Sequence, residues 1–156
     1  MLSFYNNKHT LGNVDFTMLS KGSTVLLKVN TPGGLLSVGD IHARQGHGEP
    51  AGTAVECRGT AILQIDTVRR GDYCFYYDWP QVENDEYIAS VAFARNALTK
   101  AMKLASFDMV KRVESITGIT FSEAVIFSGH CLELEICQCT EGFATVAAKV
   151  KKRYLE

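Results

Sequence analysis

"YIASVAFARNALTKAMKLASFDMVKRV", Tyr87 to Val113, is where the hydrophobic pattern of this chain changes period. Its apolar residues include Tyr87, Ile88, Val91, Ala92, Leu98, Ala101, Met102, Ala105, Met109, Val110 and Val113. Steps of three and four predict one long amphipathic helix. Asn84 or Asp85 stands where an N-cap is expected, and Gly118 ends any continuation.

Working outward, both flanks read as strand. Upstream, "STVLLKV" (Ser23 to Val29) and "GLLSV" (Gly34 to Val38) are short apolar runs separated by the turn signal "NTPGG". "TAVECRGTAILQIDTV" (Thr53 to Val68) reads as a long strand or strand pair. Ala61, Leu63 and Ile65 alternate with Gln64 and Asp66, and Gly59 marks a bulge or bend. "RRGD" reads as a turn into a further strand, "YCFYYDW". Downstream, Thr120 and Glu123 form a Thr-x-x-Glu capping box that starts a second, shorter helix. "CLELEIC" alternates again, and "FATVAAKV" is expected as the last strand. Strands, then helices, then strands predict an α+β fold of one domain, residues 1–156. One long and one short helix pack on a mainly antiparallel sheet.

Composition bounds the function. The 156 residues suffice for a core, and 46% hydrophobic with 21% charged residues is ordinary globular composition. A net charge of -1 argues against a nucleic-acid partner. The basic cluster "KVKKR", Lys149 to Arg153, is expected as a solvated tail. No apolar run is long enough to span a membrane, and the N-terminus lacks a signal-peptide pattern. Five cysteines without a Cys-x-x-Cys argue against a disulfide framework or zinc ribbon and for free thiols in a reducing cytoplasm.

The chemistry concentrates in "LLSVGDIHARQGHGEPAGT", Leu35 to Thr53. Asp40 and His42 leave one face together if the preceding strand continues, and a carboxylate with an imidazole can bind a divalent metal. Gly46 and Gly48 let the backbone double back and bring Glu49 close. A three-ligand site with an open position is what hydrolytic zinc needs. "GNVD" supplies a second pair, Asn13 and Asp15, which share a face or form an Asx turn. On spacing alone, Asp-x-His more often marks hydrogen-bonded loop residues than a metal site. His9 and His130 read as surface or capping residues. Cys57 has no base near it in sequence, and there is no Gly-x-Ser-x-Gly, P-loop or dinucleotide fingerprint.

Joined together, these motifs resemble one family. "LGNVDFTMLSKGSTVLLKVNTPGGLLSVGDIHARQGHGEPAGTAVE" is similar to the signature region of the acetamidase/formamidase family. The matching positions are Gly12, Asn13 and Asp15; Gly22, Ser23 and Thr24; Pro32 through Glu49; and Gly52, Thr53, Ala54 and Glu56. Weaker similarity runs on through "TFSEA" to "ELEICQ". The resemblance covers the C-terminal half of the family pattern; the N-terminal half has no counterpart here. Within it, His47 stands where the family often has Asp, Ala51 where it has Cys, and Glu135 where it has Arg. The resemblance implies hydrolysis of short aliphatic amides to ammonia and a carboxylate. It implies Asp15, Asp40 and His42 as ligands of a divalent metal, zinc first and calcium second, with Glu49 and Asn13 as catalytic groups. The expected partners are a small amide and either further copies of the chain in a homo-oligomer or a separate N-terminal-half subunit. The alternative is a non-catalytic metal-binding or assembly module that retains the scaffold.

Overall fold

The computed structural model describes residues 12–69, 78–140 and 142–156. The element order is β1 (Thr24–Leu26), β2 (His42–Arg44), β3 (Val55–Glu56), β4 (Gln81–Glu83), β5 (Tyr87–Arg95), α1 (Leu98–Thr117), α2 (Phe121–Cys131), β6 (Glu133–Thr140) and β7 (Phe143–Lys151). A 3-10 turn, Lys152–Tyr154, follows. The main sheet has the order β1-β4-β5-β7-β6 with every neighbour antiparallel, and β2 pairs with β3 in a separate ribbon. Both helices lie on the main sheet, so the fold is α+β as expected.

The predicted long helix divides in two. Residues 87–95 are not its first turns but the central strand β5, and the helix begins only at Leu98. The reason is burial on both sides. Ile88, Ala92 and Ala94 pack towards the helices, while Ala89 and Val91 pack towards the opposite face. A strand buried on both faces has no polar face and loses its period-two signature. Helix α1 then keeps its four-residue stripe, with Ala101, Ala105, Met109 and Val113 fully buried. Gly118 ends it at φ 72°, a left-handed cap whose N–H donates to the Glu114 carbonyl. At α2 the capping box forms as expected. The Thr120 N–H donates to Glu123 Oε2 at 2.8 Å, and Thr120 Oγ1 accepts from the Glu123 N–H at 3.4 Å.

The early strands are shorter than expected. "STVLLKV" is paired only over Thr24–Leu26, and residues 34–38 form no strand. Of Thr53 to Val68, only Val55–Glu56 has a ladder partner among the described residues. Alternation records what side chains want, whereas a strand needs a neighbour for its backbone. Leu35, Ile62 and Ile65 stand exposed. The expected strand at 73–79 falls largely outside the described residues, as do His9 and Cys74. The basic cluster is not a tail: Lys149 and Lys151 belong to β7, and Lys149 pairs with Glu135 at 2.6 Å.

The sheet face away from the helices carries a second cluster, in which Val14 and Phe16 cover Val82, Val91, Cys137 and Ala147. This seats the segment around Asn13 and Asp15 on the sheet. No helix of the described residues is long and apolar enough to cross a membrane.

Between α1 and the sheet lies a buried polar network. Asp108 accepts from the Asp78 N–H at 2.9 Å and from Gln81 Nε2, while Gln81 Oε1 accepts from Arg112 at 2.7 Å and from Ser90 at 3.0 Å. Burial pushes the Asp108 carboxyl up to about 6, against the hydrogen bonds that favour its ionised form. Between about 3.8 and about 6 the native state holds a proton that the unfolded chain, with an ordinary Asp near 3.8, has lost. Stability from this group is therefore present at low pH and falls as pH rises from about 4 to about 6, by on the order of 3 kcal/mol. Asp108→Asn should flatten that part of the stability profile in urea titrations run across pH 4 to 7; an unchanged slope would remove Asp108 as its source. Met109→Ala should cost about 2–5 kcal/mol in the same experiment, against under about 0.5 kcal/mol for the exposed Lys103→Ala.

Candidate active site and metal centre

His42, the first residue of β2, is the centre of the arrangement. Its Nδ1 donates to Gln45 Oε1 at 3.0 Å. Its Nε2 lies 3.2 Å from Asp40 Oδ1 and 3.2 Å from Glu56 Oε1. Glu56 arrives because β3 pairs antiparallel to β2 with His42 opposite Glu56. Asp40 arrives by a different route from the one expected. It lies outside the strand, at φ 63°, and its backbone turn rather than strand alternation points it at the imidazole.

Gln45 fixes this geometry. Its amide nitrogen donates to the Asp15 carbonyl at 2.5 Å and to the Cys137 carbonyl at 3.2 Å. With that nitrogen committed as a donor, its oxygen is the atom left to face His42. The proton of the neutral imidazole is thereby assigned to Nδ1, and Nε2 keeps a lone pair directed at the carboxylates. Burial of His42 works against protonation, but the bond to Gln45 and the charges of Asp40 and Glu56 outweigh it and raise the pKa above its ordinary value.

Glu49 sits on the other side. A turn in which its N–H donates to the Gly46 carbonyl at 3.1 Å folds it back, with Gly48 at φ 85°. The Gly48 carbonyl accepts from the Cys139 N–H at 2.8 Å, which ties the turn to β6. Glu49 is buried. Burial raises its pKa first; the charge of Asp15 and a hydrogen bond between the two carboxyls add to this, Asp40 adds less, and His42 opposes. Asp15 and Glu49 thus stand as neighbouring carboxyls, and the closeness of Asp15 helps raise the Glu49 pKa. Asp15 is held in turn by Gln138, whose amide nitrogen donates to the Asp15 carboxylate and to the Asn13 carbonyl.

Four of the five expected site residues, Asp15, Asp40, His42 and Glu49, therefore converge, and Asn13 lies two residues before Asp15 on the same segment. Asp15, His42 and Glu49 each bring a ligand atom within 4.8 Å of the others, and so do Asp40, His42 and Glu56. The donor set of one imidazole with carboxylates suits zinc or another divalent cation, and the Gln45 bond supplies the orientation such a ligand histidine needs. Backbone geometry marks the same residues. Six non-glycine residues among those described have positive φ, and four of them are Asn13 (43°), Asp15 (49°), Asp40 (63°) and Glu49 (42°). Each such conformation costs about 1–3 kcal/mol and persists only where its surroundings over-determine it.

Sequence reasoning assigned no role to Glu56, Gln45 or Gln138. The signal for Glu56 and Gln45 was their place inside the family pattern; their partners are visible only in three dimensions. His47 and Glu135, two of the departures from that pattern, face each other at 2.8 Å. His130 is exposed in the last turn of α2, as expected. Cys57, Cys131, Cys137 and Cys139 are free thiols.

The fold and this cluster define an α+β protein with a histidine–carboxylate centre beside the buried Glu49 and half-buried Asp15 carboxyls. The chain belongs to the acetamidase/formamidase family, whose profile matches residues 5–149. A putative formamidase of Schizosaccharomyces pombe is 41% identical over 61 residues, which make up 38% of this chain and 15% of that protein. The acetamidase of Yersinia enterocolitica superposes with a TM-score of 0.77 at 29% identity, covering 93% of this chain and 42% of that one. The acetamidase of Bacillus halodurans gives 0.79 at 26% identity, covering 95% and 50%. The chain thus spans half or less of the length of these relatives.

Replacing Gln45 by Leu should weaken zinc binding about 10- to 100-fold, as for other groups that orient a ligand histidine. Competition with a chromophoric chelator measures this, and unchanged affinity would mean that Gln45 does not orient His42.

Proposed function

We propose that the chain carries the catalytic centre of a metal-dependent hydrolase of short aliphatic amides, of the formamide and acetamide type, releasing ammonia. The observation that carries the proposal is the pairing of buried Glu49 with Asp15 beside His42 and its carboxylates. Hydrolysis of a primary amide adds water across the C–N bond, giving a carboxylic acid and ammonia. It needs an activated water, a stabilised carbonyl oxygen, and a proton for the leaving nitrogen.

His42 and Asp40 would hold the divalent ion, with Glu56 completing the set and Asp15 standing between it and Glu49. When bound, that ion supplies Lewis acidity and lowers the pKa of water beside it. Glu49 takes the proton from the attacking water. It passes that proton to the amide nitrogen as the C–N bond breaks. Asp15, by its charge and its hydrogen bond, helps raise the Glu49 pKa, so that Glu49 can accept and donate nearer neutrality than a lone carboxylate could. The Asn13 carboxamide orients the substrate carbonyl. Gln138 fixes the backbone from which Asn13 and Asp15 project.

The reading includes further polypeptide, either a second copy of the chain or a separate subunit equivalent to the N-terminal half of the family. What supports this is the exposure of Val29, Leu35, Val38, Ile62 and Ile65, together with the fraction of each relative that the chain covers. Free thiols fit a reducing cytoplasm.

The test is ammonia release from formamide, acetamide and propionamide by zinc-loaded protein, alone and with the complementary family half. Glu49→Gln should lower kcat by about 10²- to 10⁴-fold with KM little changed. No release above background in either arrangement would overturn the proposal.

A further inference from the structure

The side chain of Glu135, in β6, is only 10% exposed and takes part in three contacts from three different segments. Its Oε1 accepts from Thr17 Oγ1 at 2.9 Å and from His47 Nδ1 at 2.8 Å. Its Oε2 accepts from Lys149 Nζ, on β7, at 2.6 Å. Thr17 lies two residues after Asp15, and His47 lies two residues before Glu49. One carboxylate therefore reaches both segments that carry the carboxyl pair, and Lys149 fastens it to the sheet.

We infer that Glu135 is a positioning residue of the site: its carboxylate, bonded to Thr17 and His47 at once, sets the spacing between Asp15 and Glu49. This rests on the amide-hydrolase reading for its catalytic consequence but not for its geometry. An isolated exposed ion pair would contribute little. Here the ion pair with Lys149 is largely shielded, their side chains being 16% and 10% exposed, so Glu135 is a fixed post rather than a mobile surface partner. Burial disfavours the ionised form of Glu135, yet Lys149, Thr17 and His47 outweigh it and hold its pKa below the ordinary value. The post therefore stays anionic at neutral pH. Thr17 and His47 sit on the exposed side, so each tether can be cut without opening the core.

The neighbouring bonds explain why a second tether is needed on each segment. Gln138 grips Asp15 and Asn13 from one side, and the Cys139 N–H grips the Gly48 carbonyl. Val14 and Phe16 seat the first segment on the sheet, and these bonds hold the backbone of each segment at one point. The Glu135 bonds add a second point two residues away on each segment, and both points are set by the same carboxylate. Asp15 and Glu49 must meet within hydrogen-bond reach, where a misplacement of about 1 Å is enough to cost on the order of 100-fold in rate.

The experiment uses zinc-loaded wild type, Thr17→Val, His47→Ala, Glu135→Ala and Glu135→Gln. Backbone amide exchange should rise in Glu135→Ala over residues 13–17 and 46–52 together, while α1 and α2 keep wild-type protection. Thr17→Val should loosen only the first segment and His47→Ala only the second. With acetamide, kcat should fall on the order of 100-fold in Glu135→Ala with KM within about twofold, and Glu135→Gln should recover part of the loss. In the Glu135→Ala background, Thr17→Val should add nothing further. Unchanged exchange in both segments, or additive effects of Thr17→Val and Glu135→Ala, would overturn the inference. If wild type releases no ammonia while both segments loosen in Glu135→Ala, the hydrolase reading fails and the positioning role stands.

Discussion

Three segments of the chain meet at the side chain of Gln45. Its nitrogen bonds the backbone beside Asp15 and the backbone of β6 at Cys137, 92 residues away in sequence. Its oxygen takes the Nδ1 proton of His42. A carboxamide has a donor end and an acceptor end that cannot be exchanged without losing bonds. Occupying the donor end with two carbonyls therefore dictates which imidazole nitrogen is left for Asp40 and Glu56. The ribbon of β2 and β3, the main sheet and the segment around Asp15 are joined through this one group. The chemical state of the histidine follows from the way the backbone is assembled.

The fold is arranged to support this. One face of the sheet is closed by α1 and α2 over an apolar core. The other face receives Val14 and Phe16, which seat the Asn13–Asp15 segment directly on β5, β6 and β7. The rigid layer lies beneath the site, and the left-handed residues lie above it. Four positive-φ side chains in one cluster amount to several kcal/mol of backbone strain. The bonds from Gln45 and Gln138, with the Cys139–Gly48 backbone bond, are what hold that strain in place. Strain marks Asn13, Asp15, Asp40 and Glu49, the bonds of Gln45 and Gln138 reach His42, Asp15 and Asn13, and the two observations overlap on one cluster.

How much of this the sequence disclosed depended on the range of the interaction. The capping box at Thr120 and the stop at Gly118 are local, and both were legible. The alternation in "CLELEIC" marked β6, because Glu133 and Glu135 set off its apolar residues, while "FATVAAKV" read as the last strand without alternation and is β7. At Tyr87 to Arg95 the pattern misled, since a strand covered on both sides is apolar throughout and its small residues mimic a helical stripe. Thr53 to Val68 misled in the other direction: its alternation is real, but only two of its residues have a ladder partner among those described. In the site, the residue types at Asp40, His42 and Glu49 were visible and the resemblance connected them. The parts played by Gln45, Glu56 and Glu135 were not visible, because their contacts reach across strand pairing and across long stretches of chain.

The central claim is that His42 and carboxylates, rather than any thiol, form the metal centre. X-ray absorption at the zinc edge of the loaded protein tests it most directly. The account predicts a first shell of nitrogen and oxygen near 2.0–2.2 Å with the outer scattering of one imidazole. That imidazole signal should vanish in His42→Ala. A sulfur shell near 2.3 Å, or an imidazole signal that survives His42→Ala, would contradict it.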